Sequence, residues 1–170
     1  MSGLLTRPGS GFSPSQGLLR AEQFQIAYAT NDIEAACAVF RDRFGITEFQ
    51  RLEGPLPDGG HIRVELAWVG TVMYELLTAS GPGSALYMDR VPDDGFVIRH
   101  HHLGFLIHDA AQWAALAREA ERVGAALLNQ RQNEGFMRTC FVAAPELGHY
   151  LEYIFPEPAG LEFLNAVPGN

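Results

Sequence analysis

The chain contains no lysine: all twelve of its cations are arginines. That absence excludes a P-loop, Schiff-base lysine chemistry and a lysine-anchored pyridoxal phosphate. Cysteine is scarce as well. Cys37 and Cys140 stand alone with no C-x-x-C spacing, so both are expected as small apolar packing groups. No apolar run approaches the ~20 residues that span a bilayer. Leu4–Leu5 is too short a core for a secretory signal, so a cytoplasmic protein is expected. Basic runs are missing, and a net charge of −8 over 170 residues argues against nucleic acid or an anionic membrane as partner. Neither HExxH nor GxSxG occurs, which sets aside zincins and serine hydrolases. The Glu that a cupin needs soon after its His is absent, the next one after His102 being Glu119.

What is present is a hidden repeat. Hydrophobic residues make up 47% of the chain and charged residues 19%, enough for a packed core in one domain or in two half-size modules. QIAYATNDIEAA, starting at Gln25, matches HLGFLIHDAAQW, starting at His102; Asp32 matches Asp109, and MYELL around Glu75 matches YLEYI around Glu152. All three landmarks lie 77 positions apart, which makes a gapless frame. Each half reads as strand, helix and three further strands. In the first, Phe24–Ala29 is a strand, Asn31 with Glu34 reads as a helix-start cap, Ile33, Ala36, Cys37, Phe40 and Phe44 recur at helical spacing, and Gly45 supplies a stop. Strands are then predicted at Thr47–Leu52, His61–Val69 and Thr71–Thr78. In the second, His102–Ile107 is a strand, Trp113 to Val123 marks a helix face, and strands follow at Ala126–Gln130, Phe136–Ala143 and Tyr150–Phe155. The expected organisation is an extension at 1–22, a βαβββ module at 23–80, a Gly/Pro/Asp-rich linker at 81–100, a second module at 101–156 and a tail at 157–170.

Four polar residues stand where strand alternation expects a lining or a core. Gln25 heads a face continued by Ala27 and Ala29; His102 heads one continued by Gly104 and Leu106. Small residues on these faces suit the wall of a cavity. Glu75 and Glu152 sit mid-strand between apolar neighbours, and an inward carboxylate is costly unless paired, protonated or bound to a metal. Singly, each is more often an ordinary surface residue. Together they occupy equivalent ends of two repeated units, so face-to-face packing makes a four-point cluster of oxygen and nitrogen donors suited to a divalent cation. In the His100-His101-His102 run, alternation puts His100 beside His102 as a substitute ligand or substrate contact and leaves His101 exposed. His149 reads as a satisfied turn residue and His61 as an exposed one.

The paired βαβββ units, the strand–Asp–helix start and the final GHYLEYI strand resemble the vicinal oxygen chelate superfamily, which includes glyoxalase I. The resemblance spans residues 23–156. It implies an α+β fold in which two tandem βαβββ modules form a cupped, partly closed mixed sheet with helices outside. It also implies metal ligands from the first and last strands of each unit, here Gln25, Glu75, His102 and Glu152, a set similar to that of glyoxalase I. The implied activity is that of a divalent-metal-dependent lyase or isomerase that moves a proton next to a carbonyl or enediolate of a small molecule. Glu152 is the base by that likeness, with Glu75 assisting. Zn, Ni, Co and Mn all suit the donors. The superfamily's dioxygenases and fosfomycin-resistance enzymes use two His and one Glu, and Gln25 departs from that. Methylmalonyl-CoA epimerases generally have His first and Gln second. The arginine with which glyoxalase I holds glutathione falls at Ala29 here, and Arg99, Arg138 or Arg63 is the substitute for an anionic substrate. The alternatives are a metal-free ligand-sequestering protein of bleomycin-resistance type and an acyl-CoA epimerase. A homodimer is expected.

Overall fold

The computed structural model describes residues 11–170. The first ten residues of the expected N-terminal extension lie outside the described region. Eight strands form one mixed sheet: β1 (Glu22–Thr30), β2 (Gln50–Pro55), β3 (His61–Val69), β4 (Val72–Ser80), β5 (Ile98–Leu106), β6 (Leu127–Asn133), β7 (Met137–Ala144) and β8 (His149–Pro156). Their order is β2-β3-β4-β1-β5-β8-β7-β6, so each module repeats the same internal order and the two meet antiparallel at β1 and β5. The 77-residue frame survives in the pairing. Gln25 stands opposite Met73 and Ala27 opposite Glu75 in the parallel β1–β4 ladder; His102 stands opposite Tyr150 and Gly104 opposite Glu152 in the parallel β5–β8 ladder.

Helices α1 (Ile33–Phe44) and α3 (Ala110–Arg122) cover the convex side. Both begin at the repeated Asp. Asp32 accepts from the Ala35 N–H at 2.9 Å and Asp109 from the Gln112 N–H at 2.7 Å, a cap that stabilises a helix by about 1 kcal/mol. Asn31, expected as the cap, does something else: its amide bonds the Pro92 and Gly95 carbonyls and accepts from the Val97 N–H, pinning the connection into β5. The cap falls to the residue whose backbone is extended just before the first helical turn, and that is Asp32. Gly45 ends α1 in a left-handed conformation (φ 75°) that its missing Cβ permits. Ile33, Ala36, Cys37 and Phe40 bury the helix face against Leu76 and Ala67, and Phe105, Ile107, Leu151 and Tyr153 do the same beneath α3.

The sheet curls. Leu52 and Gly54 of one edge strand and Arg131 and Asn133 of the other line one cavity, together with Glu75 and Glu152 from the middle. Two segments close its concave side, and both were read from sequence as connection or tail. Residues 81–100 carry α2 (Ala85–Met88), whose Tyr87 is buried in the concave core. Residues 157–170 form α4 (Pro158–Ala166), which brings Phe163 and Leu164 over the cup. Beyond it the chain runs along β3, with Trp68 donating to Leu164 O through Nε1 and to Pro168 O through its backbone N–H. Ala29 packs in the concave core beneath these elements, Ala27 is fully buried in the sheet, and neither lines the cavity. Near the N-terminus a 3-10 turn at Pro14–Gln16 leads to Leu18, whose carbonyl accepts from the buried Tyr153 hydroxyl at 2.7 Å. Among the described residues no helix is long and apolar enough to cross a membrane.

Candidate metal centre

The four residues singled out by the repeat converge on the central seam. Glu75, on β4, and Glu152, on β8, flank the antiparallel pair that carries Gln25 and His102. One ligand atom from each of Glu75, His102 and Glu152 lies within 4.8 Å of the others. Gln25 joins them by donating from Nε2 to Glu75 Oε2 at 2.6 Å. All four are buried. Gly104 makes room for the amide: a Cβ there would collide with Gln25 Oε1 and sit 2.7 Å from its Cβ.

The histidine run departs from simple alternation. Ala27 pairs with His102 but Tyr28 pairs with His100, so β5 bulges at His101. A bulge adds one residue to one strand and reverses which side chains face inward beyond it. His101, expected at the surface, is consequently buried among Tyr87, Phe141 and Tyr150. His100, expected beside His102, packs instead against His149 and against Tyr28 of the α1 cluster, away from the cavity.

That bulge decides the tautomer of His102. His101 Nε2 lies 2.9 Å from the Leu86 carbonyl, which only accepts, so this nitrogen carries the proton. Burial drives the His101 pKa down to about 3, so the ring is neutral and its Nδ1 is a bare acceptor. His102 Nδ1, 2.8 Å away, must then donate to it. His102 is also held neutral by burial, at about 4, which leaves its Nε2 with a free lone pair facing the carboxylates. His102 Nε2 and Glu152 Oε2 are 2.9 Å apart, and Nε2 makes no hydrogen bond of good geometry. Gln25 Oε1 is likewise buried and unpartnered.

Burial raises the Glu75 pKa to about 7, with Glu152 adding repulsion and His102 and the Gln25 amide opposing it. Burial raises Glu152 to about 8, against the attraction of Arg131. Two buried carboxylates, a lone pair on imidazole and an orphaned amide oxygen all call for positive charge at one point. A divalent cation meets that need, and a harder metal of six-coordinate habit suits this mostly oxygen donor set.

The arginines sort differently from expectation. Arg99 is exposed on β5. Arg138 sits over the Phe155 ring, outside the cavity lining. Arg63 is held on the convex side, ion-paired to Glu34 and Glu65. The cavity instead contains Arg131, which sequence reading did not select. Its signal is a backbone irregularity in β6 that residue identity does not announce. Tyr87, which also lines the cavity, was hidden in the linker. The cavity measures about 340 Å³ and is walled by Leu52, Ile62, Val64, Leu66, Phe141 and Ile154 among others.

No family model matches the chain, and no curated protein matches it. Solved structures do. Methylmalonyl-CoA epimerase from Mycobacterium tuberculosis superposes with a TM-score of 0.56 at 16% identity, covering 85% of this chain and 92% of that one. A variant of the Streptomyces coelicolor methylmalonyl-CoA epimerase, in complex with 2-nitronate-propionyl-CoA, gives 0.58 at 19%, covering 82% and 96%. A methylmalonyl-CoA epimerase holding methylmalonyl-CoA and NH4+ gives 0.58 at 19%, with the same coverage. At such identities the likeness establishes a shared fold alone, the doubled βαβββ sheet.

Proposed function

We propose that this protein is a divalent-metal-dependent isomerase that moves a proton at the carbon next to a carbonyl of a small substrate. The observation that carries the reading is the convergence of Glu75, His102 and Glu152 within 4.8 Å at the floor of an apolar cup, with the His102 lone pair left free by its neighbour. Glu75, His102 and Glu152 would hold the ion, with the Gln25 amide oxygen as fourth donor. A divalent cation supplies Lewis-acid polarisation of a carbonyl oxygen. The proton work falls to the carboxylates. Glu152 is the base, since it lines the cavity and, unlike Glu75, has no amide holding its carboxylate. Glu75, tied to the Gln25 amide, assists it. The apolar walls exclude water from the carbanionic carbon.

An epimerase on an acyl thioester is the first specific reaction to test, because the epimerases named above share the fold. A glyoxalase-type lyase would use the same metal and base on a hemithioacetal. Elemental analysis of the purified protein should find about one divalent ion per chain. Zn, Ni, Co and Mn added to the stripped protein should restore exchange of the substrate α-proton with D2O. Absence of any bound ion, with no exchange from either thioester or hemithioacetal, would overturn the reading and favour a ligand-sequestering cup. β2 and β6 are the sheet's edges, and the homodimer that we infer from them is checked by sedimentation.

A further inference from the structure

The β6–β7 ladder is broken at one place. Pairing runs from Leu128 opposite Phe141 to Arg131 opposite Thr139, so β6 spends one residue more than its neighbour. Asn129, in that gap, has φ 46° and is the only non-glycine residue with positive φ among those described. The left-handed region costs a residue with a Cβ, and such strain gathers where a site must be aimed. Here it has a definite outcome. Leu128 packs into the concave core, and strict alternation would then turn Arg131 to the convex side. The extra residue reverses it, so Arg131 lines the cavity with its opposite number Thr139 and with Glu152. The Asn129 side chain secures the bulge by donating to the Tyr87 hydroxyl at 2.6 Å.

Arg131 arrives there without a partner. Its Nε is fully buried and makes no hydrogen bond, and no carboxylate among the described residues pairs with it. Arg51, Arg63 and Arg122, by contrast, are all ion-paired. Arg138 Nε is also buried and unpartnered, but its guanidinium is over Phe155 and outside the cavity. Arg131 as a whole is half-buried, and its enclosed Nε–H is a donor that an anion in the cavity would satisfy.

We propose that Arg131 binds the carboxylate of a monoanionic substrate inside the cup, a specificity site that rests on the isomerase reading. The guanidinium fork matches a planar carboxylate through two parallel N–H bonds. Charge decides between carboxylate and phosphate. A divalent ion would balance Glu75 and Glu152. Of the lining charges that remain, Arg131 is the one cation and Glu53 is exposed and not paired with it, so a monoanion suits the guanidinium better than a phosphate dianion. Much of the remaining wall is apolar (Leu52, Ile62, Val64, Leu66, Phe141, Ile154), which suits a short, largely hydrocarbon frame with a carboxylate at one end and a reacting carbonyl at the other. The cavity of about 340 Å³ limits it to a small molecule or to the acyl end of a larger one.

The test uses hexanoate, its neutral isostere hexanamide and inorganic phosphate as probes. Each is titrated into protein labelled with 15N at arginine, both metal-loaded and as the Glu152→Gln variant. Hexanoate should shift the Arg131 Nε–Hε signal in both forms and bind at least tenfold more tightly than hexanamide. The preference should vanish in Arg131→Met and return in part in Arg131→Lys, which restores the charge without the fork and controls for a folding defect. Equal binding of hexanoate and hexanamide, an unchanged preference in Arg131→Met, or a shift with phosphate matching that with hexanoate would overturn the proposal. The two readings fail separately. A protein without metal that still prefers hexanoate refutes the isomerase alone; one that binds metal without that preference refutes the Arg131 site alone.

Discussion

The two halves of the sheet hold the same pair of positions and finish them differently. In the first, Gln25 and Glu75 close on each other through a 2.6 Å hydrogen bond. In the second, His102 and Glu152 approach to 2.9 Å, but the histidine nitrogen facing the carboxylate has no proton to give. The first pair is largely satisfied within the protein; the second is complete only with a cation or a shared proton. The halves also treat arginine differently. Arg63 in the first half is spent on the convex side, bridging Glu34 of α1 to the buried Glu65 of β3. Arg131 in the second is kept in the cup with nothing to pair with. A duplicated scaffold thus ties more of its polar groups to one another in the first half than in the second.

The most direct way to break this asymmetry is Glu152→Gln. The change should lower divalent-metal affinity by roughly a hundredfold or more, since even groups that only orient a ligand contribute about 10–100-fold; calorimetric titration of the stripped protein measures it. Next comes His101→Phe, which keeps a ring among Tyr87, Phe141 and Tyr150 but removes the acceptor that sets the His102 tautomer. Metal affinity should fall by about 10–100-fold with little loss of thermal stability. Gly104→Ala attacks the first half by displacing the Gln25 amide, with an expected destabilisation of about 1–3 kcal/mol and a weaker effect on metal affinity than either change above. Denaturant unfolding separates the two effects.

The carboxylates give a fourth, pH-based comparison. Glu75 and Glu152 have folded pKa values of about 7 and 8, above their unfolded values, so their stabilising contribution is present in acid and is lost as pH rises through those values. His101 and His102, at about 3 and 4, act oppositely, and their contribution is complete above the ordinary histidine value of 6.5. Only the carboxylates therefore matter above pH 6.5. Metal-free protein should lose on the order of 2 kcal/mol between pH 6.5 and 8.5, or roughly 4–8 °C in Tm. Bound metal should flatten the slope, and calorimetry at several pH values reads both. The smallest effect on the site belongs to Arg63→Ala. Arg51 still reaches Glu65 at 2.8 Å, so the change should cost about 1–2 kcal/mol of stability and leave metal affinity unaltered.

Much of this architecture was legible in the chain. The 77-residue frame predicted both modules, His61–Val69 coincides with β3, and the other strands shift by only a few residues at their ends. Gln25, Glu75, His102 and Glu152 were found because polar residues at equivalent ends of repeated strands are improbable as surface noise. Asn31 was mistaken for the cap because Asn and Asp cap equally well, and only backbone geometry separates adjacent candidates. Alternation places His100 at the site and His101 at the surface because it assumes an unbroken ladder, whereas Arg99 enters only as a replacement for the arginine missing at Ala29.

By itself the sequence determined what is periodic: the order of elements, the strand–Asp–helix pattern repeated in both halves, and two glutamates set in apolar strands. Those properties follow from local propensity and from a side-chain period of two, which act over a few residues at a time. Tertiary structure alone decided the rest. The bulges at His101 and Asn129 arise where a strand must match its neighbour's length, and each turns a side chain through the sheet. The Leu86 carbonyl that settles the His102 tautomer, and the helix that brings Phe163 over the cup, come from segments that carry no periodic signal. Their positions are set by what they pack against, and a one-dimensional pattern does not contain that.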